Sequence, residues 1–224
     1  MTDSLSFVAN AKQHLSAILD RSGNVLYSSI DTLRPGPVYL LALNPGGDPN
    51  DSKHRQQTIR SALEQLPSKR ENEFLDVSWR DRGVRREAGE SILQRRVRRL
   101  TELLGLDLRS ICAANLIFAR AVDAQSSEFH RLAPTCWPVH RMILDIVQPR
   151  LVLSLGNGEL SAYAFIRHQL RGGVEESIPS GHGDWECRSF RTAGMTIVGL
   201  PHLSRYAAHK NPSVIEWLRG KLAA

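Results

Sequence analysis

The chain has 224 residues, 42% of them hydrophobic and its charges mixed in sign, which is enough for one domain with its own core and unlike a disordered chain. No apolar run approaches the roughly 20 residues of a membrane helix. No signal peptide is expected from Met1-Thr2-Asp3-Ser4, and the three scattered cysteines, Cys112, Cys136 and Cys187, suit neither a disulfide framework nor a four-ligand zinc or iron–sulfur site. The expectation is therefore a monomeric cytoplasmic protein, a single domain over 1–224, with no metal, no cofactor and no membrane contact. The formal net charge of +6 is compatible with nucleic acid without specifying it. Much of the surplus is arginine between Arg80 and Arg99, which can grip phosphate through a planar fork of donors or simply form a solvated helix face.

In chain order, Leu5, Val8, Leu15, Ile18 and Leu19 recur at helical spacings over 5–20. Arg34-Pro35-Gly36-Pro37 is a break. Val38 to Leu43 is a short continuous apolar run stopped by Asn44-Pro45-Gly46-Gly47, the pattern of a strand buried on both faces. Residues 64–90 are polar and read as irregular. In 90–104, Ile92, Leu93, Val97, Leu100, Leu103 and Leu104 fall within an arc of about 140° on a helix; Arg96 falls inside that arc and so needs a partner or the rim. Further strands are expected over 110–118 and 151–155, with strand-like stretches at 186–190 and 195–200. Helices are expected over 135–147 and 159–170, a loop over 172–183, and a last helix to Leu222 capped by Asn211 with Pro212 in its first position. Strands alternating with helices imply a parallel sheet covered on both sides, with ligands at the carboxyl ends of its strands.

Three strand ends carry suggestive chemistry. In Leu43-Asn44-Pro45-Gly46-Gly47, the proline and glycines make a sharp turn, and Asn44 at the rim could position a water or a base edge. An ordinary strand-to-helix turn uses the same residues, and without Gly-Lys-Ser/Thr the segment is no P-loop. Asn115, in Cys112-Ala113-Ala114-Asn115-Leu116, is a poor strand former whose amide, once buried, needs a partner; a nucleobase edge or neighbouring backbone could supply one. In Leu200-Pro201-His202-Leu203-Ser204-Arg205-Tyr206, His202 could donate to an anionic oxygen or merely cap the loop.

Taken together and in order, these segments resemble the uracil-DNA glycosylase superfamily over roughly Val38 to Leu222. Leu43 to Gly47 is similar to its first motif in the Asn form of the mismatch-specific and single-strand-selective branches. Ala114-Asn115-Leu116 resembles the strand whose Asn reads the uracil edge, and Leu200-Pro201-His202-Leu203-Ser204 resembles the second motif. Leu203-Ser204-Arg205 also resembles the Leu-Ser-Arg of the mismatch-specific branch, a register in which His202 takes a glycine position. Leu151 to Gly156 is similar to the family's strand and glycine before a long helix.

The resemblance implies a three-layer α/β/α fold with a mostly parallel four-stranded sheet, and hydrolysis of the bond between a damaged base and deoxyribose in DNA. Asn44 and His202 would be catalytic. Leu43, Pro45, Gly46, Asn115 and an aromatic, Phe74 or Trp79, would hold the base. Leu203, Ser204, Arg205, Tyr206 and Lys210 would meet DNA, some of them filling the space the flipped base leaves.

Three other readings stay open. One is a catalytically silent relative that binds nucleic acid or a nucleobase. Another is a metal hydrolase using His182, Asp184, Cys187 and His202 or His209. The last is a nucleotide binder using Gly156-Asn157-Gly158.

Overall fold

The computed structural model describes residues 4–81, 83–171, 173–192 and 194–223. Met1 to Asp3, Arg82 of the arginine run and Gly172 of the expected loop lie outside them. In chain order the elements are α1 (Ser4–His14), β1 (Val38–Ala42), α2 (Ser52–Arg55), α3 (Ile59–Gln65), β2 (Ser78–Asp81), β3 (Val84–Ala88), α4 (Ile92–Leu103), β4 (Cys112–Asn115), α5 (Phe129–Val147), β5 (Leu151–Leu155), α6 (Ala162–Gln169), β6 (Glu176–Pro179), β7 (Glu186–Arg191), β8 (Thr196–Leu200) and α7 (Pro212–Ala223).

The expected four-stranded sheet is a mixed sheet of six, in the order β4-β1-β5-β8-β7-β6. The first four strands are parallel; β7 and β6 are added antiparallel at one edge. The addition begins where residues 172–183 read as a loop. β6 is a short edge strand with no buried residue in its run Glu-Ser-Ile-Pro, so it shows none of the alternation that marks a half-buried strand.

β1, β5 and β8 are buried at every position, as continuous apolar runs between two helical layers must be. Alternation along β1 divides the core in two. Tyr39 and Leu41 join one apolar cluster with α1 and α5, whereas Val38, Leu40 and Ala42 join another with α4 and α7. Each leucine-sized side chain so buried contributes about 1.5–3 kcal/mol.

Local signals set the helix ends. Ser91 and Gln94 form a capping box at α4, Ser161 caps α6, and the Asn211 side chain accepts from the Ser213 and Val214 amides. α5 starts at Phe129, six residues before its expected beginning, and runs through Pro134 and Pro138. Prolines normally end helices, but here the apolar face of Leu132, Ala133, Cys136, Trp137 and Ile143 holds the helix against the sheet. Arg96 resolves its place inside the apolar arc by donating from Nη1 to the Leu203 carbonyl at 2.7 Å. Residues 78–88, expected to be irregular, form the β2–β3 hairpin, whose second strand is exposed throughout.

Candidate functional site

Because β4, β1, β5 and β8 are parallel, their carboxyl ends form one edge. Ala42 pairs with Asn115, and Leu155 with Leu200, so Asn115 sits at this edge while Asn44, Gly156 and His202 follow within two residues of their strands. Asn44 and Asn115 lie on neighbouring strands. His202 is three interstrand steps from Asn115, about 14 Å of backbone separation at about 4.8 Å per step. Asn115 continues the face of Ala113, toward the cluster containing Phe74, Leu200 and Leu203. The three residues thus share one sheet edge.

The Asn44 side chain is half-buried and its orientation is fixed. Nδ2 donates to the carbonyls of Pro45 at 2.9 Å and Ala121 at 3.1 Å. Since carbonyls only accept, both amide protons point inward to the backbone and Oδ1 is left as the acceptor. The turn itself requires glycine: Gly47 has φ +106°, and a Cβ there would meet the His54 ring at 2.7 Å. Arg120 braces the turn, donating to the Gly46 carbonyl and, through Nε, to Ser22 Oγ at 3.3 Å. Pro45 is buried, Leu43 half-buried and Gly46 exposed.

Asn115 is 1% exposed, and its Nδ2 makes no hydrogen bond of normal geometry, although the amide is close enough to the Tyr27 hydroxyl to hold down the phenol's pKa. An unpaired buried amide costs about 1–3 kcal/mol. The neighbouring wall is aromatic: Tyr27, Phe74 and Trp79 have ring centroids 5.5–5.9 Å apart and tilted planes. Burial, followed by the Glu73 carboxylate, pushes the Tyr27 phenol well above its usual range, while Arg120 and the Asn115 amide oppose the shift. Tyr27 is therefore a neutral hydroxyl beside Asn115. Phe74 is buried and Trp79 half-buried, so of the two aromatic candidates Trp79 keeps the more accessible ring. The Asn115 amide is closed off from solvent in this conformation.

His202 belongs to a tight turn in which the Arg205 and Tyr206 amides donate to its carbonyl at 2.9 and 3.0 Å. Its Nδ1 accepts from the Ser204 backbone amide at 3.2 Å and lies 2.7 Å from Ser204 Oγ. Gly156, at φ +136°, passes beside the imidazole. Protein packed around the ring, and then the Arg205 cation, lower the His202 pKa, even though the residue retains an exposed surface. A neutral ring with Nδ1 accepting must carry its proton on Nε2.

Two of the residues expected to meet DNA are buried in this structure. Leu203 is 1% exposed within the apolar cluster, and Tyr206 is 3% exposed with its hydroxyl donating to the Ser180 carbonyl at 2.8 Å. Neither side chain projects from the surface; both anchor the turn. Ser204, Arg205 and Lys210 are exposed.

Among the described residues no three His, Cys, Asp or Glu side chains stand as a ligand group. Cys187 is fully buried instead. Asn157, in the suggested nucleotide turn, donates to the Glu186 and Gly199 carbonyls at 2.7 and 3.1 Å and pins β7 to the strand-end loop. A shallow hollow of about 680 Å³ lies beyond it, lined by Tyr163, Arg167, His168, Arg171 and Arg188. It is separate from the Asn115 wall, and in it the Tyr163 hydroxyl and Arg167 both meet the Glu175 carboxylate, at 2.8 and 3.2 Å.

The sequence gives no signal for Tyr27, and it calls for a partner to Arg96 without showing that the partner is the Leu203 carbonyl. Tyr27 follows an unremarkable Asn-Val-Leu run, and the two ends of the Arg96 bond are 107 residues apart. No protein-family model matches this chain, and a comparison with curated proteins gives no match.

Proposed function

We propose that this protein is a DNA glycosylase of the uracil-DNA glycosylase type, hydrolysing the N-glycosidic bond of uracil or a related damaged base. The observation that carries the reading is the Asn115 amide: a buried donor with no hydrogen bond of normal geometry, on the same sheet edge as an acceptor at Asn44 and an Nε2–H donor at His202. A pyrimidine edge would complete the Asn115 hydrogen bonding, and its deep burial calls for a base taken out of the helical stack.

In the proposed reaction a water held by Asn44 Oδ1 attacks C1′ of the deoxyribose. The C1′–N bond breaks with its electron pair moving onto the base, and the water's proton leaves to solvent. An amide is a weak base, so Asn44 positions the water rather than activating it strongly. Negative charge developing on the base oxygen is met by the His202 Nε2–H, a contact strengthened in the transition state. Because Asn115 is sealed, base entry requires the wall around Trp79 to open.

The test is cleavage of end-labelled oligonucleotides carrying uracil, single-stranded or opposite G or A, followed by alkali. Product is expected with the native chain, and His202→Ala should slow its formation by about 10²–10³. Absence of product with uracil and with other deaminated or oxidised bases would remove the enzymatic reading. A second reading, a silent relative that binds nucleic acid, is favoured by one observation: with Leu203 and Tyr206 buried, the 202–206 turn offers no apolar wedge. Salt-sensitive DNA binding without strand breakage would select it.

A further inference from the structure

We propose that the β2–β3 hairpin is a phosphate clamp that grips the DNA strand beside the base site through the cross-strand pair Arg80 and Arg85. This rests on the functional reading above and adds to it a specific element that holds the substrate backbone.

Arg80 and Arg85 are direct partners in the antiparallel ladder, so their side chains leave the same face of the hairpin. Like charges placed opposite each other destabilise a two-stranded ladder. Neither arginine makes an ion pair with a carboxylate among the described residues, and Arg85 Nε only meets Ser78 Oγ at 3.0 Å. The opposite face is different: Asp81 approaches Arg86 Nε at 3.9 Å and also accepts from the Ile92 amide at 2.7 Å, capping α4. The hairpin therefore segregates a cationic face from a compensated one. A phosphate between two guanidinium forks would remove the repulsion and supply charge-assisted hydrogen bonds to both.

The position of that face fits the site. Trp79, between Ser78 and Arg80, belongs to the aromatic wall next to Asn115. The Arg80 charge reaches Asp51, where it adds to the stronger pull of the Lys53 amide in lowering that carboxyl's pKa. Arg80 is thus within electrostatic reach of Asp51, seven residues after Asn44. β3 is exposed throughout and Arg80 is the exposed residue of an otherwise half-buried β2, so the paired arginines can meet a polyanion without unpacking the core. The occupant that matches paired forks beside a base-sized site is the sugar–phosphate backbone of the substrate strand itself, whose charges repeat along its length.

The test uses the full chain, a fluorescent uracil-containing oligonucleotide and a salt series. In Arg80→Gln/Arg85→Gln, affinity should fall about tenfold at moderate salt, and the slope of log affinity against log salt should become shallower by about 1–2. Excision at saturating DNA should be unchanged, so the loss sits in the concentration needed and not in the chemical step. The melting temperature should hold or rise as the repulsion is relieved. A control, Arg141→Gln/Arg150→Gln, removes equal charge from exposed positions elsewhere and should leave binding unaltered. Equal weakening by the control, or unchanged binding by the hairpin variant while the native chain binds, overturns the clamp and leaves the glycosylase reading standing. A native chain that neither binds nor cleaves overturns both.

Discussion

The Ser204 backbone amide donates to Nδ1 of His202 at 3.2 Å, and this bond decides which ring nitrogen carries the proton. A backbone N–H cannot accept, so Nδ1 must be unprotonated and the neutral imidazole presents Nε2–H toward the strand-end site. Retaining that form requires a pKa below the working pH. Surrounding protein supplies the larger part of the downward shift and Arg205 the rest. Arg205→Gln should move the His202 pKa back toward its ordinary value without reaching it, as followed by NMR titration of the ring protons. An unmoved titration would mean that solvent screens the Arg205 charge completely.

Asn115 should show a conflict between function and stability. Its Nδ2 is buried without a hydrogen bond of normal geometry, so Asn115→Ala deletes a desolvated donor along with a small volume. The two effects oppose each other, and the unfolding free energy should stay within about 1 kcal/mol of the native chain, while base excision is lost. Denaturant unfolding checks the first outcome. A loss of several kcal/mol would show that the amide holds the fold and does not wait for a ligand.

Asn44→Asp should not yield a faster enzyme. A carboxylate would face the Pro45 and Ala121 carbonyls now served by Nδ2, turning two attractions into repulsions. The expected cost at neutral pH is about 1–3 kcal/mol. Protonation would restore a donor, so the new carboxyl should titrate above the usual carboxylate range, and the variant's deficit should shrink as pH falls through that raised value. A deficit independent of pH would contradict this account.

His140 predicts an acid-labile core. It is fully buried, its Nε2 donates to the Leu116 carbonyl at 2.9 Å, and its Nδ1 accepts from the Tyr39 hydroxyl at 2.8 Å. Burial is the main cause that pushes its pKa from 6.5 down to about 4. The unfolded chain binds the proton first, so this contribution is complete above about pH 6.5 and is lost as pH falls toward 4, amounting to about 3 kcal/mol. Urea midpoints across that window should fall in the native chain. They should fall less steeply in His140→Asn, whatever that variant's overall stability.

The sequence alone determined the alternation of strands and helices, the buried character of Val38 to Leu43 and Leu151 to Leu155, and the cap at Asn211. These features arise from interactions a few residues apart, which periodicity and turn chemistry record directly. It also placed Asn44, Asn115 and His202 at strand ends, because each stops or interrupts an apolar run. Only the tertiary structure decided that Leu203 and Tyr206 anchor the turn, since a leucine in a polar loop reads the same whether it points in or out. The sixth strand, the Arg80–Arg85 pairing, the Arg96–Leu203 bond and the isolation of the Asn115 amide were likewise settled by contacts between distant segments. Burial and register are properties of the packed chain: the same short run of residues takes either outcome until its neighbours in space are fixed.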